Sequence, residues 1–186
     1  MVYLPLLAVA VLTGLALGGR LRALAGIRLR ATWLLYLAIA LQLVAFPPGF
    51  LPFETGGGVS RALWLASYGC LLVAAPLNLR LRGIELVLTG MVSNLVAVVA
   101  NGGVMPALPE AAHGAGLLEP AKYNSVTHAE PHLGWLVDRW AAPEWIPLAN
   151  VFSVGDVLLA LGAFALVLAA MDVPLLRRLA PRVALS

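Results

Sequence analysis

The chain is poor in what soluble enzymes use most. It has one cysteine, Cys70, which excludes an internal disulfide and any multi-cysteine metal site. It has one lysine, Lys122, and charged residues make up only 11% of the whole, against about 25% in a soluble domain. No G-x-S-x-G elbow and no G-x-x-x-x-G-K phosphate loop is present, and no histidine falls in an apolar block. Nucleophilic catalysis around Cys70 and P-loop chemistry therefore have no support.

What is abundant is apolar surface. Hydrophobic residues make up 61% of 186, and the mean hydropathy is +0.93. Such a composition belongs in a bilayer, and the length allows one domain, 1–186. Five apolar blocks stand out, at roughly 2–19, 31–46, 62–79, 84–100 and 151–171. A helix needs about 17–25 residues to cross the hydrocarbon core, so the second and fourth blocks depend on their flanks. The expected fold is all-α: a polytopic bundle of five transmembrane helices, with an extracytoplasmic segment, 101–156, between the fourth and fifth.

Arginine placement sets the expected orientation. Arg20, Arg22, Arg28, Arg30, Arg80, Arg82, Arg177, Arg178 and Arg182 fall on one side of a five-span arrangement; Arg61, Lys122 and Arg139 fall on the other. Positive-inside bias puts the first group in the cytoplasm, the N-terminus outside and the C-terminus inside a bacterial cytoplasmic membrane. The first block carries its charges after the apolar run, the reverse of a secretory signal, and reads as a retained helix. Its Gly14 and Gly18 have the spacing of a close-packing motif. The high pI, near 9.5, is thus explained by topology, and with a net acidic outer segment no nucleic-acid partner is expected. The expected partner is the bilayer, with a further membrane protein as a candidate.

The 101–156 segment holds all three histidines, three of five tryptophans and six of nine carboxylates. Leu133, Leu136, Val137 and Trp140 follow i, i+3, i+4, i+7 behind Pro131, which predicts a short amphipathic helix capping the bundle. Ser153-Val-Gly-Asp156 matches a helix-capping box opening the last span. In the fourth block Thr89, Gly90, Ser93, Asn94, Ala97 and Asn101 share one helical arc, opposite Met91, Leu95, Val98 and Val99. Polar groups facing lipid would lack partners, so this arc should face other helices or a cavity. His128, Glu130 and His132, with His113 upstream, are the sharpest metal-ligand candidates in the outer segment. Pro131 interrupts them and they do not form H-E-x-x-H, so neither a metal nor another cofactor is expected.

Asn101-Gly-Gly-Val-Met-Pro106, Tyr123-Asn124 and Asn150-Val-Phe-Ser-Val-Gly-Asp156, with the basic loop Arg20-Leu-Arg22 and Arg28-Leu-Arg30, give the chain a family likeness. Over essentially its full length it resembles the small multi-span bacterial membrane proteins catalogued as domain of unknown function 5317. That resemblance implies a multi-span architecture and carries over no catalytic residue. The residues themselves point to a polar cluster of Asn94, Asn101, Asn150, Ser153 and Asp156, roofed by the Trp135–Trp145 segment. Such a cluster suits an accessory, sensory or ligand-binding membrane protein. The alternative is a membrane-embedded enzyme or small carrier with Asp156 as its ionisable group.

Overall fold

The computed structural model describes residues 3–47, 55–115, 125–142 and 151–179. It is mostly helical. Five apolar helices occupy the five apolar blocks: α1 (Tyr3–Ala16), α3 (Thr32–Ala45), α4 (Gly57–Leu77), α5 (Ile84–Ala100) and α7 (Val154–Ala170). Short helices α2 (Leu21–Leu24), α6 (Pro109–Gly114) and α8 (Pro174–Leu179) join or follow them. Among the described residues only α4, with 21 residues, is by itself long and apolar enough to cross a membrane; the other four have 14 to 17 residues.

The helices stand in a row, α1–α7–α5–α4–α3, so the last apolar helix lies between the first and the fourth. Glycine makes that placement possible. Gly83 and Gly90 on the α5 side meet Gly162 and Gly155 on α7, in two rungs seven residues apart on each chain. A Cβ on Gly162 would lie 2.6 Å from Gly83 O and 2.7 Å from Val87 N. A Cβ on Gly90 would lie 2.5 Å from Gly155 O and 2.9 Å from Leu159 N. The two backbones therefore run antiparallel in direct contact, which small residues alone permit. At the edge of the row, Gly14 of the first block packs against the Met171 side chain. Gly18 has φ +81°, so it turns the chain beyond α1, and the expected glycine packing face works at one of its two positions.

One end of the row is basic and closed by hydrogen bonds. Asn78, capping the C-terminus of α4 and 3% exposed, accepts from Arg30 N through Oδ1 at 2.8 Å. Its Nδ2 donates to Arg30 O at 3.0 Å and to Ala74 O at 2.8 Å. Arg80 Nη2 donates to Arg28 O, Arg82 Nη1 to Leu176 O, and Arg20 N to Met171 O. Arg20 also pairs with Asp172 at 2.8 Å. These bonds bring the loops carrying Arg20, Arg28, Arg30, Arg80 and Arg82 to the same end.

The opposite end carries a cap of short strands. β1 (Met105–Ala107) pairs in parallel with β2 (Ser125–Thr127), and Ala107 also bridges Asp138. β3 (Trp140–Ala141) pairs antiparallel with β4 (Val151–Phe152), the segment leading into α7. The expected amphipathic helix across 131–140 does not form; that stretch is turn followed by strand, and the cap's helix is α6 instead. Two causes are visible. Leu133 sits in the left-handed region at φ +52°, which a helix cannot pass through. The backbone groups a helix would need are taken elsewhere: Asp138 N donates to Pro106 O, Asp138 O accepts from Leu108 N, and Arg139 N donates to Phe152 O. Of the four residues at helical spacing only Leu136 and Val137 are buried, packed on Ala97 of α5 with Met105 and Leu108.

Candidate functional site

Three of the five expected site residues meet where the cap joins the bundle. Ser153 follows β4 in an extended conformation and caps α7: its Oγ accepts from Asp156 N at 3.2 Å, and Asp156 Oδ2 accepts from Ser153 N at 2.9 Å. This is the reciprocal capping box read from the sequence, and it satisfies two backbone donors at a helix start. Asn94, one turn and a half before the end of α5, reaches across. Its Nδ2 donates to Asp156 Oδ1 at 3.1 Å. Ser153 Oγ lies 2.9 Å from Asn94 Oδ1 and 2.8 Å from Asp156 Oδ2, so its single hydrogen serves one of two acceptors. Ser153 is fully buried.

The glycine seam brings these side chains together. A Cβ on Gly155 would overlap Asn94 Oδ1 and lie 2.6 Å from its Cγ. Only glycine at 155 lets the Asn94 amide lie against the first turn of α7. No local sequence pattern marks Gly83, Gly90, Gly155 and Gly162. The signal is a pair of seven-residue spacings on two helices, informative once the two are known to be antiparallel neighbours.

Asn101 does a different job. As the C-cap of α5 its Nδ2 donates to Ala97 O at 2.8 Å and to His132 O at 2.9 Å, while Oδ1 accepts from His132 N at 2.8 Å. It clamps the cap to the helix end and belongs to a neighbouring cleft rather than to the cluster. That cleft, open and of about 290 Å³, is lined by Asn101, Gly102, Val104, Pro106, His128 and His132 among others. Arg61 at the start of α4 points its Nη1 at Gly102 O, 3.4 Å away, a favourable place for a cation beside the C-terminus of α5. Asn150 lies outside the described residues, as does the 143–145 part of the expected roof. Trp135 and Trp140 are exposed, and the buried residues of that stretch, Leu136 and Val137, pack on Ala97 with Met105 and Leu108.

The polar arc of α5 is met in part. Gly90, Asn94 and Ala97 face α7 or the cap, but Thr89 is exposed and donates back to Glu85 O. Met91 and Val98, on the opposite side of the arc, are buried too; Tyr68 OH of α4 donates to Met91 O at 3.2 Å. Helix α5 is thus packed on two sides, which a single polar stripe does not reveal. Ser93 Oγ is buried and has no partner among the described residues.

Asp138 is not among the residues that the sequence pattern singles out; it falls in the stretch whose spacing predicts a helix that does not form. It is 8% exposed. Burial first, and the negative charge of Asp156 second, push its carboxyl up from the ordinary value to about 7. Among the described residues no three His, Cys, Asp or Glu side chains converge as metal ligands.

Comparison with known proteins adds a family and no activity. No curated protein and no solved structure is significantly similar to the chain. The family whose model matches spans residues 26–168, from the loop before α3 to the last turn of α7, so the likeness stops short of α1 and α8. It includes the glycine seam, the cap and the Asn94–Ser153–Asp156 cluster, and the chain belongs to this family of unknown function, DUF5317.

Proposed function

We propose that the chain crosses the bilayer five times, in a bacterial cytoplasmic membrane. The basic end and the C-terminus then face the cytoplasm, and the cap and the N-terminus face outside. In this reading it is an accessory, sensory or ligand-binding protein whose working part is the polar cluster beneath the cap.

The observation that carries this is the inverted surface of the row. Leu12, Ile39, Val73, Val99 and Leu161 all stand outward and exposed, while Gln42, Ser67, Asn94 and Ser153 turn inward to side-chain partners. Apolar surface of that extent is a membrane or partner surface. At 1.5 Å per residue α4 covers about 32 Å, near the thickness of the hydrocarbon core. The shorter helices cover about 21–26 Å, a mismatch that local thinning and flanking arginine and aromatic residues accommodate. Trp33 and Tyr36 project from the first turns of α3 beside the arginines, where amphipathic rings favour the headgroup level.

Labelling of single cysteines at Arg28→Cys and His113→Cys with an impermeant maleimide tests the arrangement. Opposite sidedness is expected; labelling from one side only would refute it. The Asn94–Ser153–Asp156 bonds are those of a helix cap joined to its neighbour, which favours a binding or sensory role over transport. A folded Asp156→Asn protein that loses a measurable solute flux would reverse that preference in favour of a carrier.

A further inference from the structure

The basic end of the row carries more positive charge than its own carboxylates balance. Arg20, Arg22, Arg28, Arg30, Arg80 and Arg82 lie there, with Asp172 and Glu85 as the carboxylates among the described residues. Both carboxylates are engaged: Asp172 pairs with Arg20 at 2.8 Å, and Glu85 Oε2 accepts from Gly83 N at 3.0 Å. Arg28, Arg30 and Arg80 are exposed and have no carboxylate partner among the described residues.

Hydrogen bonds gather these three arginines into one place. Arg80 Nη2 donates to Arg28 O at 2.9 Å, which holds the loop after α4 against the loop before α3. Asn78 grips the Arg30 peptide group in both directions, at 2.8 and 3.0 Å. Thr32 Oγ1 donates to Leu29 O at 2.9 Å, and Ala31, at φ +53°, turns the chain into α3. The backbone that carries the guanidinium groups is thus fixed before anything binds, so a ligand bears little of the cost of ordering it. The Arg28 and Arg30 side chains make no hydrogen bond among the described residues, which leaves their donors available.

An apolar strip begins where the arginines end. Trp33, Tyr36, Leu37, Ala40 and Val44 stand exposed at i, i+3, i+4, i+7 and i+11 along α3, while Leu34, Ala38 and Ala45 of the same helix are buried. From Trp33 to Val44 the strip runs about 16 Å, close to the half-thickness of a hydrocarbon core of about 30 Å. That is the reach of an acyl chain within one leaflet.

We propose that Arg28, Arg30 and Arg80 form the headgroup site of an anionic phospholipid whose acyl chain lies along the Trp33–Val44 strip of α3. Guanidinium groups meet phosphate oxygens in paired charge-assisted bonds, and the Trp33 and Tyr36 rings suit the headgroup level beneath them. A zwitterionic lipid brings its own cation to the same place and an anionic one does not, so charge decides which lipid is held. A soluble phosphate would use the arginines and leave the strip bare. The site rests on the membrane reading above, and adds which lipid the row selects and where it sits.

Native mass spectrometry of the full chain tests this, with release from micelles holding equal phosphatidylglycerol and phosphatidylcholine of one acyl length. The wild type is expected to retain phosphatidylglycerol preferentially. Each arginine at a headgroup contributes about fivefold, so Arg28→Gln with Arg30→Gln should lower phosphatidylglycerol affinity about 25-fold, and Arg80→Gln alone about fivefold. The double variant removes no side-chain bond among the described residues, so it keeps the test decisive should Arg80→Gln unfold. Arg22→Gln, on α2, removes one charge from the same end and should change the affinity by less than about twofold if the site is local. Equal retention of the two lipids by the wild type overturns the proposal. So does a loss in Arg22→Gln as large as in Arg80→Gln, which would mean a diffuse field. Displacement of the lipid by inorganic phosphate overturns it too, in favour of a free-anion site. Failure of the membrane reading shows separately, as labelling of Arg28→Cys and His113→Cys from the same side of reconstituted vesicles.

Discussion

The two ends of the row are closed by the same device and differ in what it closes. At the basic end Asn78, and at the capped end Asn101, each sits just past a helix C-terminus. Each donates to the carbonyl four residues back and pairs in both directions with one distant peptide group, Arg30 or His132. The asparagine amide has one acceptor and two donor hydrogens, and both copies use all three. Beyond the clamps the ends diverge. Arginine side chains at the basic end reach backbone carbonyls and one carboxylate, leaving a rim of positive charge. At the capped end the bonds run between side chains, from Asn94 of α5 to Asp156 and Ser153 at the start of α7. Identical clamps thus hold an arginine-rich surface at one end and a cluster of hydrogen-bonded side chains at the other.

Four substitutions would break or sharpen that contrast. The largest effect is expected at the seam that both ends share. Gly155→Val places methyl groups into Asn94 and the α5 backbone, and overpacking of this kind costs about 3 kcal/mol or more. It should lower the thermal midpoint of the purified protein and free the Asn94 amide in exchange measurements. A midpoint equal to wild type would mean that the α5–α7 contact is not close.

The clamps come next. Asn78→Ala leaves the Arg30 peptide group unpartnered in a buried setting and should cost about 2 kcal/mol; Asn101→Ala, at a half-buried site, should cost about 1 kcal/mol. Equilibrium unfolding in mixed detergent compares them, and the reverse order would contradict the burial on which the comparison rests. Smallest is Arg20→Ala. Its partner Asp172 is paired at 2.8 Å, but Arg20 is 68% exposed, so the loss should stay below about 0.5 kcal/mol. A larger loss would show that the arginine rim holds the fold and not merely its surroundings.

Much of this was legible in the sequence where the signal is local. The five apolar helices fall in the five apolar blocks, and Ser153 and Asp156 form the capping box that their spacing announces. Asn94 was recognisable as inward-facing because its helix has an apolar remainder to set it against. The cap was not legible. Leu133, Leu136, Val137 and Trp140 have helical spacing, yet strand pairing with Pro106, Leu108 and Phe152 took the backbone groups that a helix there would need. Those partners lie far away in sequence, and so do the halves of the glycine seam. Asp138 follows from the same error, since its burial depends on the strand bridge to Ala107.

The central claim is that α5 and α7 are joined through side chains beneath the cap, at Asn94 and Asp156. A double-mutant cycle with Asn94→Ala, Asp156→Ala and the pair, read by equilibrium unfolding, tests it directly. The expected coupling is about 1–2 kcal/mol, as for a charge-assisted bond between partly buried groups. Additive losses, with coupling indistinguishable from zero, would contradict it.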